Sequence, residues 1–166
     1  FIITNPPFPA RNKCKDKTLF DKYGVNDLYK CFLKILVDNK CLGGIMILPL
    51  NFWCSIRKMD IGLRKMFLNT YQIEKLNIFE ERVFEDTSYS ICSFMFKRRY
   101  NDSNTFNALI FPYRKEYQFK LNDTNNYMIG GDIYSLPQDH KLKITRLIEN
   151  DIPNTNILLK CIDDSK

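Results

Sequence analysis

Two amphipathic stretches of helical period lie between three short apolar runs, and that alternation restricts the fold more than any other feature of the chain. The first run, Phe1-Ile2-Ile3, stops abruptly at Asn5-Pro6-Pro7-Phe8. The spacing then predicts a helix over residues 26–39, where Leu28, Phe32 and Leu36 share one face and Asn26 is the expected N-cap. Gly43-Gly44 breaks that pattern, and Ile45-Met46-Ile47-Leu48 reads as a second buried strand halted by Pro49. A second helix is expected over residues 55–69, with Ile56, Met59, Leu63, Met66 and Phe67 on one stripe, and a third strand over residues 73–79. Strand, helix, strand, helix, strand calls for a parallel α/β sheet with crossover helices. A fourth strand, residues 88–96, follows the loop 80–87, which is too short for a crossover, so this strand is expected to run antiparallel.

Beyond Tyr100 the pattern changes. Strands are expected over residues 106–111 and 117–121, a polar turn over 122–126, a helix over 139–150 and a further strand over 156–162. Gly130-Gly131 reads as a turn, being too short for a phosphate loop. The 166 residues suffice for one ordinary domain with a sizeable core. No apolar run approaches the ~20 residues of a membrane-crossing helix.

Charge and cysteine usage narrow the functional classes. A formal charge of +6 suits a polyanionic partner without requiring one. The six cysteines, Cys14, Cys31, Cys41, Cys54, Cys92 and Cys161, fall at no metal-ligand spacing, and the single histidine, His140, offers no second imidazole. A zinc site is therefore not expected, and scattered thiols in apolar segments suggest a reducing, intracellular (cytoplasmic) setting.

The chemistry-bearing stretch is the end of the first strand. Neither Pro6 nor Pro7 can donate a backbone hydrogen bond, and both hold φ near −65°. The chain must leave the sheet as a stiff turn, with Asn5 and Phe8 at the carboxyl end of the strand, where open α/β sheets bind ligands. Arg11, Lys13, Lys15 and Lys17 follow closely and are candidates for gripping nucleic-acid phosphates. The cluster Lys97-Arg98-Arg99 reads instead as a solvated strand end.

Asn5-Pro6-Pro7-Phe8 resembles the catalytic loop of S-adenosyl-L-methionine-dependent methyltransferases that modify exocyclic amino or amide nitrogens. Several further features follow the spacing of adenine-specific (N6) DNA methyltransferases of the restriction-modification type. They are Tyr29 and Phe32 in the first helix, Gly43-Gly44, the strand exit Pro49-Leu50-Asn51-Phe52-Trp53, Leu63-Arg64, Ile73, Ile78-Phe79 and Val83-Phe84. The resemblance reaches about residue 99. It implies a Rossmann-like sheet with an antiparallel last strand. Residues 1–99 would form the C-terminal half of a catalytic domain, and residues 100–166 an appended α+β region or the start of a target-recognition region.

It also implies roles. An adenine amino nitrogen is a poor nucleophile because its lone pair is delocalised into the ring. The Asn5 side-chain oxygen and the Pro6 carbonyl would accept its two hydrogens and localise that lone pair, on a backbone that Pro7 keeps rigid. Phe8 and Phe84 would stack on the two faces of an extruded base, each such contact contributing ~1–3 kcal/mol. Asn5, Pro7 and Trp53 are candidates for touching the cofactor. The family's glycine-rich cofactor loop precedes the Asn-Pro-Pro motif, and no strand-Gly-x-Gly stretch follows it here, so most cofactor contacts are expected upstream of Phe1. The implied partner is double-stranded DNA, with a linked or separate endonuclease. Protein-glutamine and ribosomal-RNA guanine methyltransferases share the motif, and a non-catalytic DNA-binding or assembly role is the alternative from another class.

Overall fold

A computed structural model describes residues 1–132. The helix expected over residues 139–150, the strand over 156–162, His140 and Cys161 lie outside the described residues. Six strands form one sheet: β1 (Ile2–Thr4), β2 (Gly43–Pro49), β3 (Tyr71–Phe79), β4 (Ile91–Arg98), β5 (Thr105–Phe111) and β6 (Lys115–Lys120). Their order across the sheet is β1-β2-β4-β3-β5-β6. β1 runs parallel to β2, and β4 runs antiparallel to both β2 and β3. β5 pairs parallel to β3, and β6 turns back antiparallel to β5. The expected α/β class and the antiparallel fourth strand are both present. That strand is inserted between β2 and β3, which the sequence reading left unspecified.

Helices α1 (Thr18–Tyr23) and α2 (Leu28–Asp38) connect β1 to β2, and α3 (Asn51–Cys54) and α4 (Lys58–Thr70) connect β2 to β3. Alternation along the strands sends Met46 and Leu48, Leu76 and Ile78, and Cys92, Phe94 and Phe96 into one core with Leu33, Leu36, Leu63, Phe67 and Leu68 of the helices. Phe67 lies edge-on to Phe94 and Phe96, at 5.9 and 5.3 Å between ring centroids. Gly44 is required by the pairing of β1 with β2. A Cβ there would lie 2.1 Å from the Ile2 carbonyl oxygen, so any side chain would push β1 off its neighbour.

Three boundaries differ from the expectations for physical reasons. Asn26 is not the N-cap of α2. Asp27 holds that position, and the Asn26 side chain accepts a hydrogen bond from Lys30 Nζ at 2.8 Å instead. The helix expected over residues 55–69 begins three residues later, at Lys58, because Ser55 and Arg57 are extended (ψ 133° and 134°) between α3 and α4. Buried Arg64 holds that break, donating to the carbonyls of Phe52 and Ser55 at 2.5 and 2.7 Å. Finally, β4 begins at Ile91 rather than residue 88, since Ser90 still serves the loop by accepting a hydrogen bond from Leu50 N at 2.8 Å.

Candidate functional site

The Asn-Pro-Pro-Phe turn leaves β1 at the carboxyl end of the sheet and is fastened there on two sides. The backbone of residues 9–11 is tied to the start of α2: Leu28 N donates to Pro9 O at 3.1 Å, and Arg11 N donates to Asn26 O at 2.8 Å. The ring of Phe8 stands edge-on to Tyr29 (6.2 Å, 86°), and Tyr29 stands edge-on to Phe52 (6.3 Å, 84°). The aromatic column thus runs from the turn into the core, and the loop is anchored by packing where its prolines can donate no hydrogen bonds. Pro6 is buried, while Asn5 and Pro7 are exposed at the rim.

These residues open on a cavity of about 490 Å³ lined by Asn5, Pro6, Pro7, Phe8, Lys13 and Phe84, together with Asp86, Thr87 and Tyr89. Such a volume lies within the range of small-ligand sites. Phe84 is brought here by the loop between β3 and β4. That loop is wound on the Arg82 guanidinium, which donates to Phe84 O at 3.1 Å and to Glu85 O. The rings of Phe8 and Phe84 are 6.1 Å apart at 57°. A flat base between two parallel rings needs two van der Waals gaps, ~7–8 Å in all. The rings therefore touch each other, and the Phe84 loop has to yield by about 1–2 Å to admit a base between them.

The basic residues separate into two groups. Arg11 and Lys13 lie on a short 3-10 turn (Arg11–Lys13) beside the site, with Lys13 in the cavity wall. Arg11 is engaged by Asp21, at 2.7 Å. Lys15 lines a separate pocket with Phe20 and Leu28, and Lys17 is the N-cap residue of α1; neither lines the cavity. Trp53 requires a correction. It is fully buried, edge-on to Phe52 and Phe94 at 4.9 and 5.4 Å, and has no surface with which to touch a cofactor.

Behind the site is a buried ionic cluster that the sequence reading missed. Lys30 Nζ lies 2.6 Å from Asp27 Oδ2 and 2.6 Å from Asp60 Oδ1. Asp60 Oδ2 accepts from Ser55 Oγ at 2.6 Å. Lys30 and Asp60 are 2% and 1% exposed, so the pair joins α2 to α4 out of contact with water. Burial, with Asp27 and Asp60 nearby, pushes the Tyr29 hydroxyl well above the usual tyrosine range, so it remains a neutral donor.

No family model and no curated protein sequence matches the chain. Solved structures do. A chain from a type I restriction-modification system superposes with a TM-score of 0.55 at 14% identity, over 66% of this chain and 23% of that one. A modification subunit of a putative type I restriction enzyme from Vibrio vulnificus YJ016 gives 0.53 at 15% identity, over 95% and 31%. The fold is similar to that of these two restriction-modification proteins. At this identity the likeness is one of fold, and the chain spans roughly a quarter to a third of the length of those two structures. Within this fold, the Asn-Pro-Pro-Phe turn stands at the carboxyl end of a parallel strand, next to the Phe84 loop. Among the described residues no helix is long and apolar enough to cross a membrane.

Proposed function

We propose that this chain carries the base-binding side of an adenine-N6 DNA methyltransferase. The observation that carries the reading is the cavity in which Asn5, Pro6 and Phe8 meet Phe84 on a restriction-modification methyltransferase fold. Asn5 Oδ1 and the Pro6 carbonyl accept the two hydrogens of the adenine amino group, drawing the nitrogen towards a tetrahedral geometry in which its lone pair is localised. Donation to two fixed acceptors is strongest when the nitrogen becomes positive as its new bond forms, so the interaction favours the transition state over the ground state. The excess proton is shed after transfer, and no strong base is needed to generate the nucleophile. Phe8, held from behind by Tyr29, is the fixed face for the base, and Phe84 on its loop is the movable one.

S-adenosyl-L-methionine, when bound, supplies the methyl group as a sulfonium electrophile. Of the residues described, exposed Asn5 and Pro7 at the rim fit its reactive end, while Trp53 does not. Lys13 in the cavity wall supports double-stranded DNA as the partner, since its charge lies where a phosphate next to an extruded base would run. A linked or separate endonuclease accords with the restriction-modification fold. Residues 1–99 as a catalytic unit, with 100–166 appended, is the organisation we propose for the chain.

The test is transfer of labelled methyl to adenine-containing DNA by the intact protein and its Asn5→Ala variant. Turnover is expected to fall by at least about a hundredfold, as on removal of one preorganised transition-state partner. Unchanged turnover would remove Asn5 from the reaction.

A further inference from the structure

Beside the base cavity lies a larger one, of about 700 Å³, to which the reading above gives no ligand. The two share Phe8, Ala10 and Tyr89, so one layer of side chains divides them. The polar wall of this second cavity carries two guanidiniums against one carboxylate, with the carboxamides of Asn12, Asn26 and Asn51 as neutral partners. Arg57 is exposed in it and has no acidic partner among the described residues. The Asn26 carboxamide oxygen is occupied by Lys30 Nζ, which leaves its two N–H groups for a ligand. Tyr29, 4% exposed, lines the cavity with a hydroxyl that no described residue bonds. The one carboxylate in the wall, that of Asp27, is turned onto Lys30 at 2.6 Å, and Arg11 is held by Asp21.

A cavity with one unopposed guanidinium, its single carboxylate already paired, and neutral N–H and O–H groups beside them suits an acceptor-rich anion. The cavity lies one ring away from the base cavity, a separation that suits an anion in the same strand as the base. We propose that the second cavity seats the phosphodiester adjacent to the extruded adenine in its own DNA strand. Arg57 is the ionic contact, and Asn26 and Tyr29 are neutral donors. The inference rests on the DNA methyltransferase reading and adds the element that draws the backbone aside when the base leaves the stack. The contacts are preorganised by the buried cluster. Arg57 N donates to Ser55 Oγ at 3.3 Å, the Ser55 hydroxyl donates to Asp60 at 2.6 Å, and Asp60 is paired with the same Lys30 that orients Asn26.

The experiment uses the intact protein and a DNA duplex carrying 2-aminopurine opposite an abasic site, an unpaired base that is readily extruded. A neutral methylphosphonate replaces the phosphate on one side of the 2-aminopurine or the other, and binding is followed across a salt series. With native phosphates, Arg57→Ala is expected to bind about tenfold more weakly. Its slope of log affinity against log salt should be shallower by about 0.9. At one of the two positions methylphosphonate should weaken wild type to a similar extent and Arg57→Ala no further. Lys120→Ala, at the exposed end of β6, should leave that non-additivity intact. Additive losses at both positions, or an unchanged salt slope, would overturn the assignment. A rise in 2-aminopurine fluorescence on binding keeps the two claims apart. With the rise present and Arg57 additive, only the second cavity is misassigned; with no rise in wild type, the base-binding reading fails and the inference fails with it.

Discussion

Replacing Lys30 with methionine tests the buried cluster and, through it, the walls of both cavities. The substitution keeps most of the stem volume and deletes only the charge. Asp27, whose side chain is 21% exposed, can turn to water when its partner is lost. Asp60, with 2% of its side chain exposed, cannot, and it keeps a single neutral hydrogen bond from Ser55. The cost therefore falls on one stranded carboxylate, and removing one member of a buried pair typically destabilises by ~3–5 kcal/mol. For a chain of this size that corresponds to a melting temperature lower by roughly 6–20 °C. Thermal and urea unfolding of Lys30→Met measures it directly. Adding Asp60→Asn removes the stranded charge at almost no change in volume and should restore more than half of the loss. A deficit under about 1 kcal/mol, the range of an exposed pair, would refute the cluster as a dry, structural unit. So would a double variant no better than the single one.

Three other outcomes follow from the same geometry. Gly44→Ala should destabilise by about 1–3 kcal/mol, as overpacking does, and lower methyl transfer further than unfolding explains, because the strand displaced by the new Cβ is the one that ends at Asn5; melting curves beside turnover measurements would check this. Phe84→Ala should weaken binding of DNA with an unpaired adenine by ~1–3 kcal/mol while leaving fully paired, non-target DNA unchanged, as measured by competition. The carboxyl of Asp123 is held below the usual aspartate range by hydrogen bonds from Lys65 and Tyr127. A depressed folded-state pKa stabilises above the unfolded value, and that contribution is lost as pH falls through the folded one; carboxyl-carbon NMR should show Asp123 titrating low and moving up in Lys65→Ala.

Much of the fold was legible in the sequence because its devices are local. The strand ends at Pro6 and Pro49, the stripe of Leu28, Phe32 and Leu36, and the short loop 80–87 each restrict the chain within a few residues. Insertion of β4 between β2 and β3 was not legible, since it depends on pairing across distant segments, with Gly43 and Gly44 closely approached by strands on either side. For the site, the paired prolines marked the turn at Asn5 to Phe8 and the family resemblance pointed to Phe84; the structure brings these residues to one cavity. Arg57, Asn26 and Tyr29 were hidden for a different reason. Their placement follows from a charge cluster formed by two distant segments, residues 26–30 and 55–60, and nothing in the local pattern says that Lys30 meets Asp60. Trp53 shows the converse: at a strand exit it reads as either a pocket residue or a packing one, and the structure buries it completely.

The most direct test of the central claim is the identity of the methylated product. Adenine-containing DNA is incubated with the intact protein and isotopically labelled S-adenosyl-L-methionine, digested to nucleosides and resolved by mass spectrometry. The account predicts label in N6-methyldeoxyadenosine with wild type and its loss with Asn5→Ala. Label on another nucleoside, on RNA or on protein, or label on adenine that survives Asn5→Ala, would contradict it.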